Sequence, residues 1–279
     1  MTAKTSSMNL SRKIALPIAL LGLLALYLTW EVDESYSWYI IPCVLLLALI
    51  YVFSPQIDWW GYKKRPPKLD PLVESLIGKH LPFYQKLSPA DRQKFRNRVA
   101  LYSIAKEYMP QGFETVPADI KGLIASCAVW ISFGKEDFLF KKFENIILYP
   151  HPFPSPQYPE HFHVSEIFEE DGVIMFAMEH FMVSYTKPAQ YYHTGLHEYA
   201  RVFLRTYPNE NYPAVTADFW EKIARVSGFS KAAVEKWIGL PELENLPVLI
   251  VHFFAFPDRF RQFFPSEYTR LKEIFNLEP

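Results

Sequence analysis

Two long runs without a charged residue fill most of the first sixty positions, and they limit what this chain can fold into more than any other feature. Ile14 to Trp30 is mainly Leu, Ala and Ile, and Ser35 to Ile57 is a second uncharged run. Each comes close to the roughly 20 residues that a spanning helix needs. Trp38, Tyr39, Tyr51, Trp59 and Trp60 stand near the ends of the second run, where interfacial aromatic belts are expected. Pro17 and Pro42 lie near the starts of the runs, where a missing amide proton costs least. A cleaved leader would end in small residues, and none follow the first run before the second begins. A buried core helix would be shorter than the second run. The pattern predicts a transmembrane helical hairpin.

The charges predict its orientation. Lys4, Arg12 and Lys13 precede the first run, and Lys63, Lys64, Arg65 and Lys68 follow the second. The connection carries Glu31, Asp33 and Glu34 and neither Lys nor Arg. Both ends are therefore expected in the cytoplasm, with the short acidic turn outside the inner membrane. The chain then reads as a cytoplasmic N-terminus (1–13), a membrane hairpin (14–57), a basic juxtamembrane linker (58–69) stiffened by Pro66 and Pro67, and one globular domain (70–279). The lipid bilayer is the first expected partner.

The globular part reads as mostly helical with a small β-sheet, an α+β class. Ser88-Pro89-Ala90-Asp91 is a helix start, with Phe95, Val99 and Tyr102 on the buried stripe of a helix reaching Tyr108 and ended by Met109-Pro110. Pro117 opens a helix whose apolar residues recur through Ile131. Asn145 to Tyr149, Val164 to Phe168 and Val173 to Met178 are strand candidates, the last two turning at Asp171-Gly172. Helices are expected over 188–207, 214–226, 230–238 and 243–256, with two short pieces up to Phe275. The net charge of −1 offers no field for nucleic acid. Cys43 and Cys127 are the two cysteines, and neither position suggests a disulfide framework.

Within the 188–207 helix lies Tyr191-Tyr192-His193-Thr194-Gly195-Leu196-His197-Glu198-Tyr199-Ala200-Arg201. It begins as His-Glu-x-x-His, in which two histidines four apart bind zinc and the glutamate acts as general base. The second histidine is replaced by Arg201. Arginine stays protonated and has no lone pair for a metal.

Other landmarks accompany this stretch in order. They are Leu81-Pro82-Phe83-Tyr84 with Leu87-Ser88, Gln111-Gly112-Phe113-Glu114, Ile146-Ile147-Leu148-Tyr149-Pro150 with Phe153, Gly172, His197-Glu198, and Phe253-Phe254 with Pro257. Together they resemble the MtfA-type zinc peptidases (the Mlc titration factor family) over most of residues 80 to 276. The hairpin is not part of that family's best-known soluble members. The resemblance implies a zincin-like fold. It also implies zinc held by the two motif histidines and by a glutamate on a later helix. His197 then matches the first ligand and Glu198 the general base. Counting back from Phe253-Phe254 puts Glu244 on the third ligand, and the second ligand falls on Arg201. His193 stands where the family more often has asparagine.

Three readings of the site stay open. In the favoured one zinc is absent, and Arg201 replaces it as an electrostatic staple between Glu198 and Glu244, because its planar fork suits carboxylates. In the second, His193 and His197, also four apart, rebuild a metal site with Glu244, although Gly195 lies between them. In the third, His197 and Glu198 are ordinary polar residues of a half-buried helix. Zinc is thus the only cofactor in question, and none is the favoured answer.

Glu179 and His180 either line the same cleft or form a surface pair. His161 and His163, with Glu160, read as a solvated loop rather than a metal site. His252 reads as a hydrogen-bonded core histidine. Ser184 and Thr186 have no triad partners. The phenylalanines between 253 and 264 read as core.

The function expected is a membrane-anchored, cytoplasmic MtfA-like domain without peptidase activity, acting by binding a cytoplasmic protein or as a subunit of a membrane complex. The resemblance implies such binding, including sequestration of a transcriptional regulator. The rival is an active zinc peptidase with altered ligation.

Overall fold

The computed structural model describes residues 8–277; Lys4 lies outside them. The chain divides into two compact units, Met1–Pro67 and Lys68–Pro279.

The first unit contains α1 (Leu10–Glu31), a 3₁₀ turn (Glu34–Tyr39) running into α2 (Ile40–Val52), and α3 (Ser54–Lys64). Two stretches, the 22 residues of α1 and the 19 residues of Glu34–Val52, are long and apolar enough to cross a membrane. At about 1.5 Å per α-helical residue and about 2.0 Å per 3₁₀ residue they reach about 33 and about 31 Å. Leu20, Leu21 and Leu23 are each more than half exposed, so α1 presents its apolar side chains outward rather than into a protein core. Asp33 caps the 3₁₀ turn by accepting from the Ser35 amide at 2.8 Å. Gly22 lets α1 approach α2, since a Cβ there would stand 3.3 Å from Cys43 Cβ.

Two features of this unit depart from the sequence reading. Pro17 lies inside α1, because that helix begins at Leu10, ahead of the uncharged run. The basic segment after the second run is also not simply a linker. Phe53 breaks α2, and Pro55, at the start of α3, is preset for a new helix.

The second unit opens with α4 (Pro71–His80), α5 (Pro82–Lys86), α6 (Pro89–Ala105), β1 (Glu107–Pro110) and α7 (Ala118–Ile131). It continues through β2 (Asn145–Tyr149), β3 (Ser165–Phe168), β4 (Val173–Ala177), α8 (Met178–Thr186) and α9 (Thr194–Thr206). It ends with α10 (Phe219–Ser227), α11 (Lys231–Ile238), α12 (Asn245–Ala255), α13 (Pro257–Phe263) and α14 (Pro265–Ile274). The sheet runs β1-β2-β4-β3. β1, β2 and β4 are parallel, and β3 adds an antiparallel edge. One row across it is Tyr108, Ile146, Ile174 and Ile167, three of them fully or nearly buried isoleucines. This is a mostly helical unit with a small mixed sheet.

Ser88 caps α6 through the Asp91 amide, and Phe95, Val99 and Tyr102 are fully buried as the spacing requires. The helix stops at Ala105, short of Tyr108, and Met109-Pro110 belongs to a strand. Pro110 is tolerated because it closes an edge strand. α9 starts at Thr194 rather than at Pro188, because His193 is its N-cap: the ring Nδ1 accepts from the Leu196 amide at 3.2 Å.

The centre of the unit is α9. It packs on α7, α8, α12 and β3, and only Arg201, Arg205 and Thr206 of its thirteen residues are not buried. Gly195 makes the fit possible. A Cβ there would stand 2.7 Å from Phe181 Cε2 on α8 and 2.8 Å from Cys127 Sγ on α7.

Candidate functional site

His197 and Glu198 enter the interior from the middle of α9. His197 shares a 2.8 Å hydrogen bond between Nδ1 and the Tyr192 hydroxyl. Burial pushes its pKa down to about 4, the nearby Glu198 and Glu244 opposing and Arg201 assisting, so it is neutral at pH 7. Glu198 is fully buried and both its oxygens are engaged. Oε1 accepts from the Ser165 hydroxyl on β3 at 2.7 Å, and Oε2 accepts from Arg201 Nη1 at 3.0 Å.

Arg201 lies one turn further on, and its Nε donates to Glu244 Oε1 at 3.3 Å. Glu244 sits at the N-cap of α12, but its side chain caps no amide there and turns to the arginines. Arg205, one turn beyond Arg201, donates from Nη2 to Glu244 Oε1 at 3.1 Å, and its Nε lies 3.2 Å from Glu169 Oε2. Lys142 Nζ closes the series on Glu169 Oε1 at 2.5 Å. Three carboxylates and three cations thus alternate from the buried Glu198 to the surface. Burial alone would raise the Glu244 carboxyl, but Arg201 and Arg205 outweigh it and hold it below its usual range. Burial would likewise lower Arg201, but Glu198 and Glu244 outweigh it and push the guanidinium further up.

A pocket of about 220 Å³ opens here, lined by Tyr158, His197, Arg201, Leu240, Glu242, Leu243 and Glu244. Glu198 is not among its walls. A general base must come within hydrogen-bonding reach of the proton it takes, and this carboxylate is turned to Ser165 and Arg201. A catalytic zinc site takes three protein ligands. His197, Glu242 and Glu244 line the pocket, but the place of the second motif histidine holds Arg201, a cation that grips Glu198 and Glu244. No group of three His, Cys, Asp or Glu side chains among the described residues is arranged to hold a metal. This donor set does not fit zinc.

The remaining residues singled out in the sequence lie elsewhere. His193 is nearly buried, set edge-on to Trp130 and Tyr185, and its Nδ1 is spent on the helix cap. Burial pushes its pKa down to about 3. It does not line the pocket with His197. Glu179 is exposed, pairs with His151 Nδ1 at 2.9 Å, and lines a separate surface pocket with Pro117, Asp119 and Pro150. His180 lies against Trp237, ring centroids 4.9 Å apart. Neither lines the His197 pocket, because both sit at the start of α8. His163 is fully buried rather than solvated, with Nε2 3.0 Å from Glu166 Oε2. His252 is the hydrogen-bonded core histidine expected, held by Val248 O and Ser227 Oγ.

Five participants are not singled out in the sequence, Lys142 at the outer end of the series among them. Ser165 and Glu169 belong to β3 and the turn after it, and nothing in their spacing points at α9. Arg205 does have a signal, since it stands four residues after Arg201 on the same helical face. Tyr192 stands in the motif stretch, but its contact with His197 depends on how the chain enters α9.

The model of the family described as glucose-regulated metallo-peptidase M90 matches residues 58–203. That is just over half of the chain and takes in the whole His-Glu stretch, so the match defines a metallopeptidase-family protein. The chain belongs to this M90 family. It is also similar to an uncharacterized protein, slr2042, of Synechocystis sp. (strain ATCC 27184 / PCC 6803 / Kazusa), at 23% identity over 130 residues, 47% of this chain and 44% of that protein. The match thus spans less than half the length of this curated relative.

Proposed function

We propose that this chain is a membrane-anchored member of the M90 family that no longer hydrolyses peptides and acts by binding. The observation that carries this is Arg201, bonded to Glu198 at 3.0 Å and to Glu244 at 3.3 Å. In a zincin-like site these two carboxylates serve the metal, one as base and one as ligand. Here a fixed positive charge occupies them both, and His197 is left without a second imidazole. A guanidinium cannot polarise a carbonyl as a Lewis acid or generate a hydroxide nucleophile from bound water. What remains is a shaped, charged pocket suited to holding a segment of a protein partner. The apolar hairpin would fix that pocket at the inner face of the membrane, next to a cytoplasmic regulator or within a membrane complex.

The test is metal analysis and peptide hydrolysis on the purified full chain. Substoichiometric zinc and no metal-dependent cleavage are expected. Arg201→His should bind close to one equivalent of zinc, and a further His197→Ala change should remove it. One equivalent in the unaltered protein, lost on His197→Ala or Glu244→Ala, would overturn the proposal in favour of an active peptidase with altered ligation.

A further inference from the structure

The face of α3 turned away from α1 has a chemistry that the proposed binding site does not use. Ser11 donates to Asp58 from its amide at 2.7 Å and from its hydroxyl at 3.0 Å. The Tyr62 hydroxyl donates to Asn9 Oδ1 at 3.1 Å. A Cβ on Gly61 would stand 3.1 Å from Leu10. One face of α3, formed by residues 58, 61 and 62, is therefore fastened to the start of α1, and Asp58 satisfies an amide that α1 leaves free at its N-terminus.

The other positions repeat one motif. Lys63 Nζ lies over the Trp59 ring at 5.5 Å, and Lys64 Nζ over the Trp60 ring at 3.8 Å. Each pair places an aromatic ring with a cation one turn further on. Lys63, Lys64 and Arg65 are exposed, as are Arg12 and Lys13 at the start of α1. None of these five cations forms an ion pair among the described residues. Of the four acids in this unit, Asp58 is committed to Ser11, and Glu31, Asp33 and Glu34 lie at the connection between the two apolar helices. The two ends of the hairpin are thus opposite in charge, and among the described residues the basic end sets one acid, Asp58, against five unpaired cations.

We infer that α3 is an interfacial helix whose Trp-Lys pairs, together with Arg12, Lys13 and Arg65, bind the phosphates of anionic phospholipids in the leaflet at that end of the hairpin. Tryptophan rings settle at the headgroup level. Lysine stems lie along apolar surface and carry their charge outward to the phosphates, and anionic headgroups supply the counter-charge the protein lacks. The inference rests on the reading of the apolar helices as a membrane hairpin.

The experiment uses the full chain reconstituted in vesicles of phosphatidylcholine, with and without phosphatidylglycerol. Lipids retained on the protein after detergent extraction are quantified by mass spectrometry. Phosphatidylglycerol should be enriched over its bulk share on the order of tenfold. The triple variant Lys63→Gln, Lys64→Gln, Arg65→Gln should lose most of that enrichment while keeping its helical content and staying in the vesicles. Brominated phosphatidylglycerol should quench the fluorescence that Trp59→Phe, Trp60→Phe removes. Retention without enrichment, or enrichment unchanged in the triple variant, overturns this inference alone. Failure of the unaltered chain to stay in the bilayer overturns the membrane-anchored reading, and this inference with it.

Discussion

The ion series around Arg201 has two ends, and comparing them shows which of its members matter. At the inner end Glu198 is 0% exposed and Arg201 15%. At the outer end Lys142 is 55% exposed and Glu169 41%. The outer pair is the shorter, at 2.5 Å against 3.0 Å, but the surroundings differ. Water screens the outer pair, which also has to hold two long side chains still for little gain. The inner pair has given up its hydration, and each charge depends on the other. The lesson is that Arg201 is needed where it stands for as long as Glu198 stays buried and ionised.

Acid should separate the two ends most strongly. His197 at the inner end, and His193 and His252 elsewhere in the core, are buried and neutral, with pKa values pushed by burial to about 4, about 3 and about 4 from an ordinary 6.5. Above pH 6.5 these rings carry no proton in either state, and their stability is fully present. Below it the unfolded chain takes up protons that the native state refuses, so stability falls between pH 6.5 and about 4, and through His193 down to about 3. Glu244, held below its usual range by the arginines, acts in the same sense. The loss should amount to several kcal/mol in sum and should begin before the outer carboxylates titrate. Denaturant unfolding followed by tryptophan fluorescence at a series of pH values measures it. A flat profile between pH 7 and 5 would contradict the buried, neutral state of these rings.

Next in size is Arg201→Ala, which leaves the buried Glu198 without its counter-charge and should cost about 3–5 kcal/mol. Replacing both partners, as Glu198→Leu with Arg201→Met, should recover most of that loss. If the double change is as damaging as the single one, packing rather than charge holds the inner end. Ser165→Ala removes the other bond to the Glu198 carboxylate and should cost about 1.5–3 kcal/mol. Lys142→Ala at the outer end should change stability by less than about 1 kcal/mol, and added salt should shrink even that. A larger, salt-insensitive effect there would erase the distinction between the ends.

How much of this could be read before the fold was known depended on distance along the chain. The buried stripe of Phe95, Val99 and Tyr102 follows from helical periodicity, and the β3–β4 hairpin follows from Asp171-Gly172. Arg201 beside Glu198 is an i,i+3 relation within one helix, so it was legible as soon as the helix was. Glu244 is forty-three residues from Arg201, and it could be named only through the landmarks at Phe253-Phe254. Ser165 could not be found at all. Its hydroxyl reaches Glu198 because an edge strand meets α9 in space, and no local pattern encodes that. His163 misled because its neighbours Pro159, Glu160 and His161 look solvated, whereas a single bridge to Phe153 draws it inside. His193 misled through its spacing. Four residues before His197 would be one helical face, but the helix begins only after His193.

Gly195 has a further consequence, in the timing of motion. With 2.7 Å to Phe181 and 2.8 Å to Cys127 left for any added carbon, the backbone of α9 lies close against both α7 and α8. The amide hydrogens of α9 from His197 to Phe203 should therefore exchange with solvent only when the whole unit opens, at the slowest rate in the molecule. On the proposed binding reading, a captured segment would meet a floor that does not yield on the timescale of binding. Any adjustment to such a segment would fall to the other walls, Tyr158, Leu240 and Leu243.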